Sequence, residues 1–473
     1  MKATHLDCGP TRLQPPVGRA HFLSEAECQD IARRLAQVAH GGGYNCTTFY
    51  SSWTGYVRWA RNQISTSGEV RNDFVNVRRN VNGAENNWTI MNDTSPAALV
   101  AVARRAERLA KLEPERPQSD LIARLANEPT SASQLFFEST YTLDAEQRAA
   151  AAVTLARATA SAGMLSAGYI QVEACALAVI DTMGHSQYQP YTTARFSVTV
   201  RDPKGVGSGW AGVDWPDWSR IDGPKLAALA LDKCIHSRNP VALEPGRYTT
   251  ILEPQAVCNF CNQLLSDGYS VPSAKPGQQL IDARLTVSED AMDPDLGFPT
   301  FQPTWQRVTN NHRYFHPATW IEHGVFKQWS WRRGWVDDKR SYQGRSLCSS
   351  GAYRVTVNGE TTSSDEMVAS TKRGLLVTRF DNILLLEGSS YLQRGYTRDG
   401  LWLIENGKIT KAIKNLQFTE SILFVLNNVE QIGVPQRVFR PKFEGDVREL
   451  PEPVIVPALK IRDFSFTALS DAI

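Results

Sequence analysis

The sequence predicts an α+β protein of two domains. Residues 1–240 read as an N-terminal α/β domain with antiparallel strands, and residues 241–473 as a mostly antiparallel β domain with a few helices. Three observations carry this. The 473 residues exceed what one ordinary core holds. The first half alternates capped helical patterns with period-2 runs. The second half is dominated by strand-like runs around one strong turn signal.

In chain order, Ser24 and Glu27 have the capping-box spacing, and Cys28, Ile31, Leu35 and Val38 follow at helical intervals. Gly41, Gly42 and Gly43 supply a stop. Strands are expected around Cys46 to Ser51, Tyr56 to Arg61, Glu69 to Val77 and Trp88 to Asn92. Ser95-Pro96 opens a second helix, with proline at the position where its missing N–H costs nothing. Pro114 to Thr130 reads as a helix and loop. Asp144 and Gln147 cap an alanine-rich helix that ends at Gly163. Ile170, Val172 and Ala174 alternate with Tyr169, Gln171 and Glu173, as do Phe196, Val198 and Val200 with their neighbours. This predicts a long antiparallel pair joined near Thr182 to Pro190. Lys204 to Gly212 is glycine-rich but lacks the Gly-Lys-Ser/Thr ending of a phosphate loop, so a mobile surface loop is expected. Asp222-Gly223-Pro224 starts another helix, and Asn239 to Gly246 marks the domain boundary.

The second half opens with a strand, Tyr248 to Leu252, then Glu253-Pro254 and an amphipathic helix through Val257, Phe260, Cys261, Leu264 and Leu265. A long connection rich in proline, aspartate and tryptophan runs from Gly268 to Arg345. Asn406-Gly407, between the apolar runs Leu401–Ile404 and Ile409–Ile413, predicts a type I′ hairpin, because both central residues need φ > 0. Thr419 is expected to cap a short helix carrying Ile422, Leu423 and Leu426.

Composition excludes several classes. With 51 Lys and Arg against 49 Asp and Glu, the formal charge of +2 offers no electrostatic case for nucleic acid. No apolar run approaches the ~20 residues of a membrane helix, and the N-terminus lacks a secretory h-region. Eight scattered cysteines fit reduced, buried thiols, so a cytoplasmic protein is expected.

The run Arg398-Asp-Gly-Leu-Trp-Leu-Ile-Glu-Asn-Gly-Lys-Ile409, then Lys414-Asn-Leu-Gln-Phe418 and an apolar segment ending in Ile432-Gly433, resembles the C-terminal signature of the TldD/PmbA family, also called the modulator of DNA gyrase family. Arg61-Asn62-Gln63, Glu253-Pro254 before a helix, and Ile321-Glu-His-Gly-Val325 resemble further blocks of it. The resemblance implies TldD- and TldE-type peptidase subunits acting on unfolded or small peptides, including peptide maturation. In the TldD type, the helix after the opening strand carries His-Glu-x-x-x-His, which with a later cysteine holds a metal, expected to be zinc. The glutamate activates the bound water.

Here that helix, from Glu253 through Cys258, Cys261 and Asn262, has no histidine, and no cysteine follows Cys348. The resemblance therefore implies a TldE/PmbA-like, non-catalytic subunit with no cofactor and no catalytic or metal residues of its own. Zinc is expected only in a TldD-type paralogue, the expected heterodimer partner, with a homodimer as the open alternative. Glu253, Cys258, Cys261 and Asn262 mark a candidate peptide groove. A stand-alone peptide-binding or scaffold protein is the alternative function.

Other chemistry competes weakly. Cys258-x-x-Cys261 has no second pair for a zinc ribbon and lies inside its helix rather than at its N-terminus. His312 and His316 are spaced like helical zinc ligands, but Arg313 stands where a catalytic glutamate would and Pro317 opposes helix. Trp305, Trp320, Trp329, Trp331 and Trp335 with Arg332 and Arg333 suit a sheet core or interface better than base stacking. Asp290, Asp293 and Asp295 lack a calcium loop and read as a solvated turn.

Overall fold

The computed structural model describes residues 22–38, 45–82, 84–113, 134–205, 207–266, 274–303, 312–315, 317–327, 351–440 and 450–470. The expected stop at Gly41–Gly43, the helix and loop of Pro114 to Thr130, His316, Trp305, Trp329, Trp331, Trp335, Arg332 and Arg333 lie outside them.

The N-terminal half is one antiparallel sheet in the order β3-β2-β1-β4-β5-β6, formed by β1 (Asn45–Ala60), β2 (Gln63–Val81), β3 (Ala84–Met91), β4 (Leu165–Asp181), β5 (Ser186–Arg201) and β6 (Ser208–Trp215). Helices α1 (Glu25–Gln37), α2 (Pro96–Ala110), α3 (Glu138–Tyr141), α4 (Ala145–Ser161) and α5 (Gly223–His236) accompany it. The capping boxes at Ser24/Glu27 and Asp144/Gln147 form as the sequence requires, and Ser95 and Asp222 cap α2 and α5. Along one face, Phe49 and Val75 pack with α1 and α2, while Trp53, Val57 and Trp59 pack with α4 and α5.

Two expectations are corrected here. The runs at Cys46–Ser51 and Tyr56–Arg61 are one continuous strand. Gly55 does not break it; a Cβ there would stand 2.5 Å from the Arg148 guanidinium, so the glycine makes room for that side chain. The expected loop over Lys204 to Gly212 becomes β6 from Ser208 onward. A Cβ at Gly209 would lie 2.1 Å from Ala230 O, so this glycine lets α5 lie directly on the strand.

In the C-terminal half, a six-stranded sheet is ordered β12-β11-β8-β13-β20-β19 and a second sheet β14-β7-β21-β17-β15-β16. These are β7 (Gly246–Leu252), β8 (Leu285–Glu289), β9 (Phe301–Pro303), β10 (His312–Tyr314), β11 (Ala318–Glu322), β12 (Val325–Phe326), β13 (Tyr353–Val357), β14 (Arg373–Glu387), β15 (Leu392–Glu405), β16 (Lys408–Ala412), β17 (Leu416–Ser421), β18 (Val429–Ile432), β19 (Gln436–Val438), β20 (Val454–Val456) and β21 (Leu459–Leu469). Because β14 also pairs with β15, five strands of the second sheet close on themselves, which removes their free edges over the paired stretch. The hairpin between β15 and β16 turns through Asn406 (φ 49°) and Gly407 (φ 77°), as the sequence predicts. Helices α6 (Pro254–Ser266), α7 (Ser364–Ala369) and α8 (Ile422–Asn427) complete this half. The cap of α8 is Ser421, whose hydroxyl accepts from Phe424 N. Thr419 stays in β17, where its backbone pairs with Arg394.

The face of the N-terminal sheet opposite its helices takes the C-terminal half at one end. There Cys46, Tyr50, Phe74 and Leu177 share a core with Leu296, Phe298 and Phe301.

Candidate functional site

Helix α6 sits where the resemblance places chemistry. It follows β7 directly, and Glu253 N donates to Val377 O of β14, which fixes the helix entry against the closed sheet. Phe260 inserts among Phe380, Phe418 and Phe464, with ring centroids 5.9, 5.5 and 5.4 Å away. These are favourable tilted aromatic contacts. Gln393 Nε2 donates to Phe260 O at 2.7 Å, and Gln255 exchanges two hydrogen bonds with the Phe439 backbone. The helix is therefore held on several sides, by main-chain and side-chain bonds.

Its donors are unsuited to a metal. Cys258 and Cys261 are both buried; removal from water pushes the Cys258 thiol up to about 12 and raises that of Cys261 as well. They are the only two sulfurs the helix brings, short of the three or four protein ligands a zinc site takes. The rest of α6 offers amides and apolar groups, with neither imidazole nor carboxylate. The residues present do not fit the family's zinc site. Among the described residues no group of three or more His, Cys, Asp or Glu could hold an ion.

The four residues singled out from the sequence occupy different settings. Cys258 and Cys261 face the core, whereas Asn262 is exposed. Glu253 accepts from Lys233 Nζ of α5 at 2.6 Å, which ties the two halves together. The structure brings Cys258 and Cys261 into one apolar setting and places Glu253 at the junction.

The rival candidates resolve similarly. His312 lies in β10, paired with Pro303, so its backbone is extended and cannot form a helical i, i+4 chelate. Trp320 is buried on β11 in the core of this half. Asp293 and Asp295 face Arg354, at 2.6 and 3.4 Å, so the expected solvated turn is an ion-paired one.

Sequence reasoning missed the junction. The Arg437 side chain on β19 is almost wholly buried; its Nε donates to Asp214 O at 2.6 Å, and its Nη1 to Leu296 O at 2.9 Å and to Asp295 O. Its guanidinium also lies over Trp215, 4.4 Å from the ring centroid. Ser208 donates to Asp399, and Trp402 Nε1 to His236 O at 3.2 Å. Only pairing across 141 residues or more reveals these contacts, and no local spacing signals them.

With this geometry in place, the relatives follow. Residues 237–468 match the PmbA/TldA metallopeptidase C-terminal domain. The chain is similar to the crystal structure of TldE from Thermococcus kodakarensis, with TM-score 0.72, 15% identity, and coverage of 93% of this chain and 99% of that one. A putative modulator of DNA gyrase from Thermotoga maritima gives TM-score 0.73 at 12% identity, covering 94% and 100%. Another from Bacteroides thetaiotaomicron gives 0.70 at 13%, covering 93% and 98%. No curated protein matches the chain. Among the described residues, no helix is long and apolar enough to cross a membrane. The C-terminal match and the shared fold agree with the motifs at Arg398–Ile409 and Glu253-Pro254: the chain belongs to the TldD/PmbA family.

Proposed function

We propose that this chain is a TldE-type subunit of a TldD/TldE-type metallopeptidase, non-catalytic itself. It pairs with a zinc-bearing TldD-type paralogue in the cytoplasm and helps wall the chamber in which unfolded or small peptides are cut or matured. One observation carries the reading. Where the active members present imidazoles and a carboxylate, α6 presents two neutral, core-facing thiols and amides. A helix packed by Phe260 and clamped by Gln255 and Gln393 supports a wall rather than a reacting centre. The likeness to a protein described as TldE supports the same assignment. The four α6-region residues then contribute in different ways: Asn262 borders the peptide groove, while Glu253, Cys258 and Cys261 hold the helix in place.

The test is reconstitution. Co-expressed with the TldD-type paralogue of its own genome, the chain should co-purify with it and raise cleavage of an unfolded peptide well above the paralogue alone. A chain that neither binds the paralogue nor changes its rate overturns the proposal and leaves the scaffold reading.

A further inference from the structure

The face of the N-terminal sheet opposite its helices changes character along its length. At one end the cross-strand row Phe74, Tyr50 and Leu177 lies in the apolar core shared with the C-terminal half. Farther along, the same face turns polar. Tyr56, Gln171, Arg195 and Asp214 stand opposite one another on β1, β4, β5 and β6, with Thr54, Glu173 and Thr193 in the adjoining row. Tyr56, Gln171, Thr54 and Gly212 are only half-buried, so this stretch can be approached from outside. A Cβ at Gly212 would stand 2.6 Å from the Trp210 ring, so the glycine lets that indole lie over β6 and bound the stretch. Phe439 and the Arg379 guanidinium of the C-terminal half hold the indole, 5.8 and 4.9 Å away.

Three side chains here are buried without the partners that burial demands. Thr193 Oγ1, Arg195 Nε and Asp214 Oδ1 make no hydrogen bond, although their residues are 4%, 5% and 2% exposed. The Arg195 guanidinium is aimed by a fixed chain: it donates to the Tyr169 phenol, which donates to Gln171 Oε1 at 3.0 Å. Arg437 Nε lies 3.5 Å from Asp214 Oδ1 but gives its hydrogen to the Asp214 carbonyl. Arg195 and Asp214 are direct cross-strand partners, so an unmet donor stands beside an unmet acceptor.

The geometry points to a peptide-binding strip along β5, in which Thr193, Arg195 and Asp214 take the main-chain amides of an extended, uncharged segment. The charges choose the ligand. An anion would meet Asp214 and Glu173, and a cation would meet Arg195 and Arg437. A neutral group that both accepts and donates suits the pair, and an amide does so through its C=O and N–H. The spacing then favours a chain over one amide. Thr193 and Arg195 are two residues apart on one strand, about 7 Å, and an extended peptide repeats its outward groups at that interval. A single water bridging Arg195 and Asp214 would leave Thr193 unmet. The inference rests on the peptide part of the proposed function and adds where this chain itself holds the peptide, away from α6.

The test is calorimetric titration of the full chain alone with a glycine-serine hexapeptide, acetylated and amidated so that it carries no charge. Binding in the millimolar range or tighter is expected. Thr193→Val and Arg195→Met should each weaken it about 10-fold while circular dichroism stays native. Thr193→Val should not lower stability in urea, because the hydroxyl it removes has no partner in the free chain. Acetate and guanidinium ions should not compete. Absence of binding at millimolar peptide, or binding that neither variant weakens, overturns the proposal. So does a crystal soaked in the hexapeptide that shows ordered water only between Arg195 and Asp214. N-methylacetamide binding as tightly as the hexapeptide would assign the strip to single carboxamide groups and overturn its reading as a site for a chain. No paralogue is present, so failure of this binding leaves the subunit assignment standing, and failed reconstitution leaves this result standing.

Discussion

Two buried polar sites in this molecule behave in opposite ways. Around Cys258 and Cys261, burial is apolar, and the thiols give up ionisation to be there. Around Arg437 the side chain is also buried, and loss of water pulls its guanidinium down, while the Asp214 carboxylate and the Asp214, Asp295 and Leu296 carbonyls offset that cost. The difference lies in partners rather than depth: a charge survives burial where hydrogen-bond acceptors replace its water. It also separates two roles. The thiols of α6 serve packing, while Arg437 and Asp214 fasten the halves together.

The largest effect should come from breaking the charged side. Arg437→Met leaves the buried Asp214 carboxylate without that cation, and should cost about 3–5 kcal/mol in urea unfolding. Arg437→Met/Asp214→Asn should recover part of the loss. If the single variant is as stable as wild type, the junction is not held by charge.

The apolar side is sharpened by pH. For Cys258 and Cys261 the folded-state pKa lies above the unfolded value, so the folded chain keeps protons that the unfolded chain releases. Their contribution is complete below the unfolded thiol range, about pH 8.5, and is lost as pH rises toward 12. Stability should therefore fall over that interval, and less steeply in Cys258→Ala/Cys261→Ala. An unchanged slope in the double variant would mean these thiols do not titrate on unfolding.

The smallest effect belongs to an intermediate case. Lys233 and Glu253 also span the halves, but Glu253 keeps access to water. Lys233→Met should cost only about 1 kcal/mol by chemical denaturation. A loss as large as that of Arg437→Met would erase the distinction between full and partial burial.

Local features were legible in the sequence. Ser24 and Asp144 announce their helices because a cap needs only its third neighbour, and Asn406-Gly407 announces its hairpin because few residues tolerate both backbone angles. The glycine at 209 misled for a physical reason. It marks close approach of Ala230, which local reading mistakes for a loop. Thr419 was expected as a cap for want of knowing that β17 continues to Ser421. At the candidate site, the sequence identified the thiols and their helix. It missed Arg437 and Asp214, 223 positions apart, because only the completed fold makes them neighbours.

The central claim is that α6 supplies no metal ligands, and zinc content measured together with peptidase activity tests it most directly. The chain purified alone, given zinc and then desalted, should retain far less than one ion per polypeptide and leave an unfolded peptide intact. One tightly held zinc per chain, with cleavage unaided and abolished by chelation, would contradict the account.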